Sequence, residues 1–128
     1  MILLDSCVLL WLAADQERLS EKAVNAIRKH AGKLYVSSIT AFELAIKTRK
    51  KRLELPMSAD AWYEKALRLH GIQEVPISGK IASRSAELPL IHTDPCDRFI
   101  IATAGEYGYP VITADSIFRK YPKLKVIW

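Results

Sequence analysis

Cysteine is scarce: Cys7 and Cys96 are the only two in 128 residues. With no Cys-x-x-Cys pair, they exclude a disulfide framework and a thiolate metal site, and both read as small core residues. Each lies close in sequence to an aspartate singled out below, so the two thiols are expected to approach each other if those aspartates converge. No apolar run nears the ~18 residues that a membrane-spanning helix needs. The opening MILLDSCVLLWLAAD lacks the basic start of a signal peptide, and Asp5 interrupts its apolar run. It reads as a strand and a helix of a cytosolic protein with no membrane attachment. There is no Gly-x-Ser-x-Gly elbow, phosphate-binding loop or dinucleotide fingerprint. His30, His70 and His92 show no ligand spacing and read as surface or loop residues. Repeats, low-complexity tracts and linkers are absent, and the length suits one domain, residues 1–128.

What is present is a core and a charge bias. Half the residues are hydrophobic. Nineteen basic residues against fourteen acidic give +5, modest support for a polyanionic partner. Apolar runs at 2–4, 34–37, 72–77, 111–113 and 124–127 predict strands, with Pro76 demoting the third to an edge. Between them lie helical patterns. Residues 8–13 suit a buried helix, and Ser20 caps a helix that Gly32 stops. Ser38 or Thr40 opens another, with Ile39, Phe42 and Ile46 along one side. Ser58 and Ser78 cap two more, ended by Gly71 and Pro89. Asp94, with Pro95 at the first helical position, caps a long helix that ends at Gly108, and SIFRKY follows as a short one. The alternation predicts an α/β fold, a three-layer α/β/α sandwich around a mainly parallel central sheet.

Acids recur where such a sheet binds ligands. Asp5 follows the strand ILL and Asp115 follows VIT; in open α/β sheets, ligands sit beyond the carboxyl ends of the strands. Glu43 lies in the first or second turn, and Asp97 in the first turn, of helices that start at the same edge. Each acid also has a local role open to it. Asp115 can cap SIFRKY, Thr40 with Glu43 matches a capping box, Asp94 is a good N-cap, and Asp97 at N3 suits the helix dipole. Carboxylates a few ångströms apart do not all stay ionised unaided. A hard divalent cation resolves the conflict, and an oxygen-only set favours Mg2+ or Mn2+ over Zn2+. Such a site can activate water beside a phosphodiester.

The segments MILLDSCVLLWL, LYVSSITAFELAIKTRKKRLELP, HTDPCDRFIIATA and VITAD, in that order, make the whole chain resemble the PIN domain, specifically the VapC-type toxin ribonucleases of bacterial toxin–antitoxin modules. The resemblance implies a metal-dependent endoribonuclease of the cytoplasm that uses Mg2+ or Mn2+ and cuts an RNA substrate. It implies catalytic and metal-holding roles for Asp5, Glu43, Asp97 and Asp115, with Ser6, Asp94, Arg98 and Thr113 supporting the acids or meeting RNA. It further implies a cognate VapB-type antitoxin and a homodimer. Ser6 stands where the family more often has threonine, which keeps the hydroxyl, and Cys7 where it often has histidine or asparagine. Trp11, Leu12 and Ile46 are candidates for the antitoxin's grip, with core packing the alternative.

The basic run 47–52 suits either a solvated helix end or an RNA-phosphate contact. Arg98 can pair with an acid or meet phosphate. Trp62 and Tyr63 fit the core or a dimer contact. A haloacid-dehalogenase-like phosphatase wants an aspartate where Cys7 stands, and a receiver domain wants an acidic pair near its first strand that is missing here. A PIN fold used only for binding predicts missing acids, yet all four are present.

Overall fold

The computed structural model describes residues 1–128. Five short strands, β1 (Ile2–Leu4), β2 (Leu34–Ser37), β3 (Ile72–Val75), β4 (Val111–Ile112) and β5 (Val126–Ile127), form one sheet in the order β3-β2-β1-β4-β5. Every pairing is parallel. Six α-helices connect them: α1 (Ser6–Ala14), α2 (Glu21–Lys29), α3 (Ile39–Arg49), α4 (Ala59–His70), α5 (Gly79–Glu87) and α6 (Pro95–Tyr107). Two 3-10 turns, Gln16–Arg18 and Ser116–Lys120, complete the chain.

Strand periodicity sorts the core into two layers. In β1, Ile2 and Leu4 join α1, α2 and α4 residues such as Val8, Leu9, Ala23 and Trp62 on one face. Leu3 points to the other, among Ile100, Ile101 and Ala104 of α6 and Phe118. This alternation is the two-residue period of a strand buried on both sides. Each fully buried isoleucine contributes about 1.5–3 kcal/mol, so Ile100 and Ile101 anchor α6 and hold its first turn in place. The chain order builds β1, β2 and β3 outward in one direction and then places β4 on the other side of β1. The carboxyl ends of β1 and β4 therefore flank the topological switch point, the usual address of a ligand site.

Several boundaries differ from the sequence reading. The third strand stops at Val75, the fourth at Ile112, and the last begins at Val126. SIFRKY is a 3-10 turn. Ser38 occupies the N-cap of α3 but has helical backbone angles and makes no cap bond; its hydroxyl takes the Ile77 amide instead. No capping box forms, because Thr40 is buried and bonded to Ser6 while Glu43 also turns to Ser6. Phe42 is 55% exposed and Leu44 packs in its place. Ser20 and Ser78 cap through their side chains, whereas Ser58 holds its cap position without such a bond. Trp62 and Tyr63 are core residues, the Tyr63 hydroxyl donating to Glu74.

Candidate active site

The four acids come from four elements and line one pocket of about 200 Å³ at the carboxyl edge of the sheet, together with Ser6, Cys7, Lys47 and Asp94. Asp5 ends β1 and begins α1. It is 6% exposed, and each oxygen has one donor: the Ser6 amide on Oδ1 at 2.8 Å and the Thr113 hydroxyl on Oδ2 at 2.7 Å. A carboxylate oxygen accepts more than one bond, so lone pairs remain for the pocket. Thr113 also accepts the Asp115 amide at 3.0 Å, joining the ends of β1 and β4 through one side chain.

Glu43 is placed from the other side. The Ser6 hydroxyl donates to Glu43 Oε1 at 2.7 Å and lies 2.8 Å from the Thr40 hydroxyl. Serine has one hydroxyl proton, so Thr40 is the donor to Ser6, and the relay runs Thr40, Ser6, Glu43. Thr40, fully buried, is a supporting residue that sequence reasoning assigns only to a cap.

Asp97 and Asp115 meet at His92. His92 is 7% exposed, and its Nε2 lies 2.8 Å from Asp115 Oδ2 and 3.1 Å from Asp97 Oδ2. His92 lies in a loop, as expected, but it is buried at the site and not a surface residue. Its partner Asp115 lies 23 residues away in sequence, so no local spacing announces the pair. Asp115 caps the 3-10 turn through Oδ1, which accepts the Ile117 amide, while Oδ2 serves the site. Its two readings therefore hold together.

The electrostatics follow from crowding. Burial first, then Asp5, Asp94 and Glu43, push Asp97 up to about 7, with His92 acting in the opposite direction. Burial likewise raises Asp5 and Glu43; their hydrogen bonds, and Lys47, oppose the rise. Lys47 is the one cation in the lining. It stands four residues after Glu43, the spacing that brings Glu and Lys to one helix face. That spacing was the available signal, and the reading of residues 47–52 as a bulk basic run passes over it. Cys7 and Cys96 are both free thiols near these acids. Burial and the acids raise both, Cys96 to about 12, so neither is a ready nucleophile.

Arg98 meets neither acid nor solvent. It is 8% exposed and donates to four backbone carbonyls, those of Ala86, Leu88, Pro89 and His92, at 2.8–3.3 Å. It ties the end of α5 and the loop carrying His92 onto α6. A guanidinium fork suits this task and an ammonium does not. Arg98→Lys is expected to cost about 2–4 kcal/mol of stability, because it leaves buried carbonyls unpaired; urea unfolding reads the change. Leu12, a candidate for partner contact, is buried, whereas Trp11 is half-exposed against Trp128.

Asp94 caps α6, accepting the Cys96 amide at 2.8 Å, and borders the pocket. Asp94→Ala is expected to cost about 1 kcal/mol, roughly 4 °C in Tm for a chain of this length. Asp97→Ala is expected to leave the helix folded and remove the acid from the pocket. Calorimetry on both variants separates a cap from a site residue.

A divalent cation suits this set. Burial, and then the neighbouring acids, raise three of the carboxylates, and Asp5 keeps acceptor capacity. One atom each from His92, Asp97 and Asp115 lie within 4.8 Å of one another.

Comparison with known proteins agrees with this geometry. The family model described as PIN domain matches residues 2–124. The chain is 36% identical over 130 residues to Ribonuclease VapC22 of Mycobacterium tuberculosis, covering 99% of this chain and 98% of that protein. Among solved structures, its fold is similar to a chain of VapBC2 from Rickettsia felis bound to a promoter DNA fragment, with TM-score 0.71, 17% identity and 98% and 97% of the two chains covered. A toxin–antitoxin complex from Klebsiella pneumoniae gives TM-score 0.67 at 23% identity, covering 97% and 95%. The match along nearly the whole chain, with the acids gathered at the sheet edge, places this chain in the PIN-domain family.

Proposed function

We propose that the chain is the toxin of a toxin–antitoxin pair, a metal-dependent endoribonuclease that hydrolyses RNA phosphodiesters in the cytoplasm at the pocket of Asp5, Glu43, Asp97 and Asp115. The observation that carries this reading is the convergence of four acids from four elements on one pocket, with Asp5, Glu43 and Asp97 raised by burial and mutual repulsion. The 36% identical relative named a ribonuclease supports the reaction. Mg2+ or Mn2+ would be held by these carboxylates, and when bound it supplies Lewis acidity and an activated water. The chain's own part is preorganisation: the Ser6 amide and Thr113 fix Asp5, and the Thr40–Ser6 relay fixes Glu43. Lys47 at the pocket wall provides the charge to meet a phosphate.

The VapBC and toxin–antitoxin complexes among the structural relatives support an antitoxin of the VapB type as partner. Phe42, Leu90 and Ile91 are exposed apolar residues, surface that a protein partner, either the antitoxin or a second copy of the chain, would cover.

The test is metal-stripped protein with RNA in EDTA, Mg2+ or Mn2+. Cleavage is expected only with metal, and the products should carry 5′-phosphate and 3′-hydroxyl ends. Products ending in 2′,3′-cyclic phosphate would make the 2′-hydroxyl the nucleophile and sink the water mechanism. RNA bound but left intact in all three would favour a binding module.

A further inference from the structure

His92 is held more firmly than a loop residue requires. Its amide donates to the Tyr121 hydroxyl at 2.8 Å, and its carbonyl accepts from Arg98 at 3.1 Å. Tyr121 in turn donates to Pro89, so the loop is tied on both sides of His92. The ring stands edge-on to Phe118, which is fully buried, at 5.7 Å and 90°. Its position and tilt are thereby fixed before any ligand arrives.

The ring's two nitrogens have different partners. Nδ1 accepts the Asp94 amide at 3.3 Å. An atom that accepts an N–H carries no proton itself, so the neutral ring bears its proton on Nε2. Nε2 is the atom that faces Asp115 Oδ2 and Asp97 Oδ2. Proximity alone would make His92 the third ligand of a cation with those two acids. The tautomer argues against it, because a protonated nitrogen has no lone pair to give.

We propose that His92 is a positioning residue: its Nε2–H donates to Asp115 Oδ2 while Nε2 stays 3.1 Å from Asp97 Oδ2, and this clasp sets both carboxylates for the cation without ligating it. This rests on the metal-dependent reading above. The clasp joins acids that arrive from opposite directions, Asp97 on α6 and Asp115 beyond β4. It also fits the anchoring of this loop, where Arg98 and Tyr121 hold the backbone of both Pro89 and His92. Outer hydrogen bonds of this kind typically change metal affinity 10–100-fold.

The test compares wild type, His92→Gln and His92→Asn by Mn2+ titration calorimetry, with thermal unfolding in EDTA to establish that each is folded. The glutamine amide nitrogen reaches the place of Nε2, and the asparagine amide only that of Nδ1. The expected result is a 10-fold or greater loss of Mn2+ affinity in His92→Asn and its substantial recovery in His92→Gln. Folded variants that both bind Mn2+ like wild type would overturn the clasp while leaving the metal site standing. Equal losses in both would overturn it as well, by assigning the effect to ring packing. Wild-type protein that binds no Mn2+ would overturn the metal reading and the clasp with it. A second measurement needs no variant: nitrogen NMR of His92 with Mg2+ added. The proposal expects the proton to stay on Nε2; its loss there on Mg2+ binding would make His92 a ligand and contradict the proposal.

Discussion

Asp5→Asn is expected to yield a folded protein whose RNA cleavage falls roughly a thousandfold, about 4 kcal/mol of barrier. The loss follows from position. Asp5 is the innermost acid, and both its oxygens are held, by the Ser6 amide and the Thr113 hydroxyl. Its charge is what a cation in the pocket would use. The fold should survive, because asparagine keeps the oxygen that accepts the Ser6 amide, and Thr113 can turn its hydroxyl to accept from the new amide. Burial already disfavours the charged form of Asp5, so removing the charge relieves a cost. Tm in EDTA should therefore match or exceed that of wild type. A variant inactive because it is unfolded would show a collapsed Tm and would refute the site assignment, as would a folded variant with normal cleavage.

The second large effect is a reversed pH dependence of stability in metal-free protein. Asp97 is raised to about 7, and Asp5 and Glu43 are raised in the same direction. A carboxyl group with a raised folded-state pKa holds its proton better in the folded chain than in the unfolded one. Between the ordinary carboxylate range and the raised value, the unfolded chain has lost protons that the folded chain keeps. Stability therefore falls as pH climbs through that window. Asp60 and Glu106 are lowered, Glu106 by the Lys80 and Arg84 side chains, and both titrate below it. In EDTA, Tm should drop from about pH 5 to about pH 7, by up to roughly 5 °C per unit for each proton of difference. Mn2+ should restore more stability at the upper end, where the acids are charged and repel, than at the lower end. A Tm that rises with pH in EDTA, or that Mn2+ raises equally at both ends, would contradict this electrostatic account.

The architecture was legible because each element carries its own punctuation. ILL reads as a strand buried on both faces, and Ile2 and Leu4 do point one way and Leu3 the other. Asp94, Pro95 and Gly108 mark both ends of α6, where the structure has them. The common address of Asp5, Glu43, Asp97 and Asp115 followed from the rule that parallel strands point their carboxyl ends to one edge. What stayed hidden depends on side chains far apart in sequence. His92 reaches Asp115 across 23 residues, and Arg98 spends its charge on carbonyls. Neither spacing nor composition separates such an arginine from one that meets phosphate. Thr40 and Glu43 fit a capping box in sequence, but the ladder Thr40–Ser6–Glu43 needs β1 and β2 side by side. Local rules gave way there to a hydrogen bond that only the folded sheet can offer.

The central claim is that these carboxylates form one cation site. Crystals of the wild-type chain soaked in Mn2+ and measured at the manganese absorption edge test it most directly. The account predicts an anomalous peak inside the pocket among Asp5, Glu43, Asp97 and Asp115, abolished in Asp97→Asn. A pocket that stays empty at saturating Mn2+, or a peak that persists unchanged in Asp97→Asn, would contradict it.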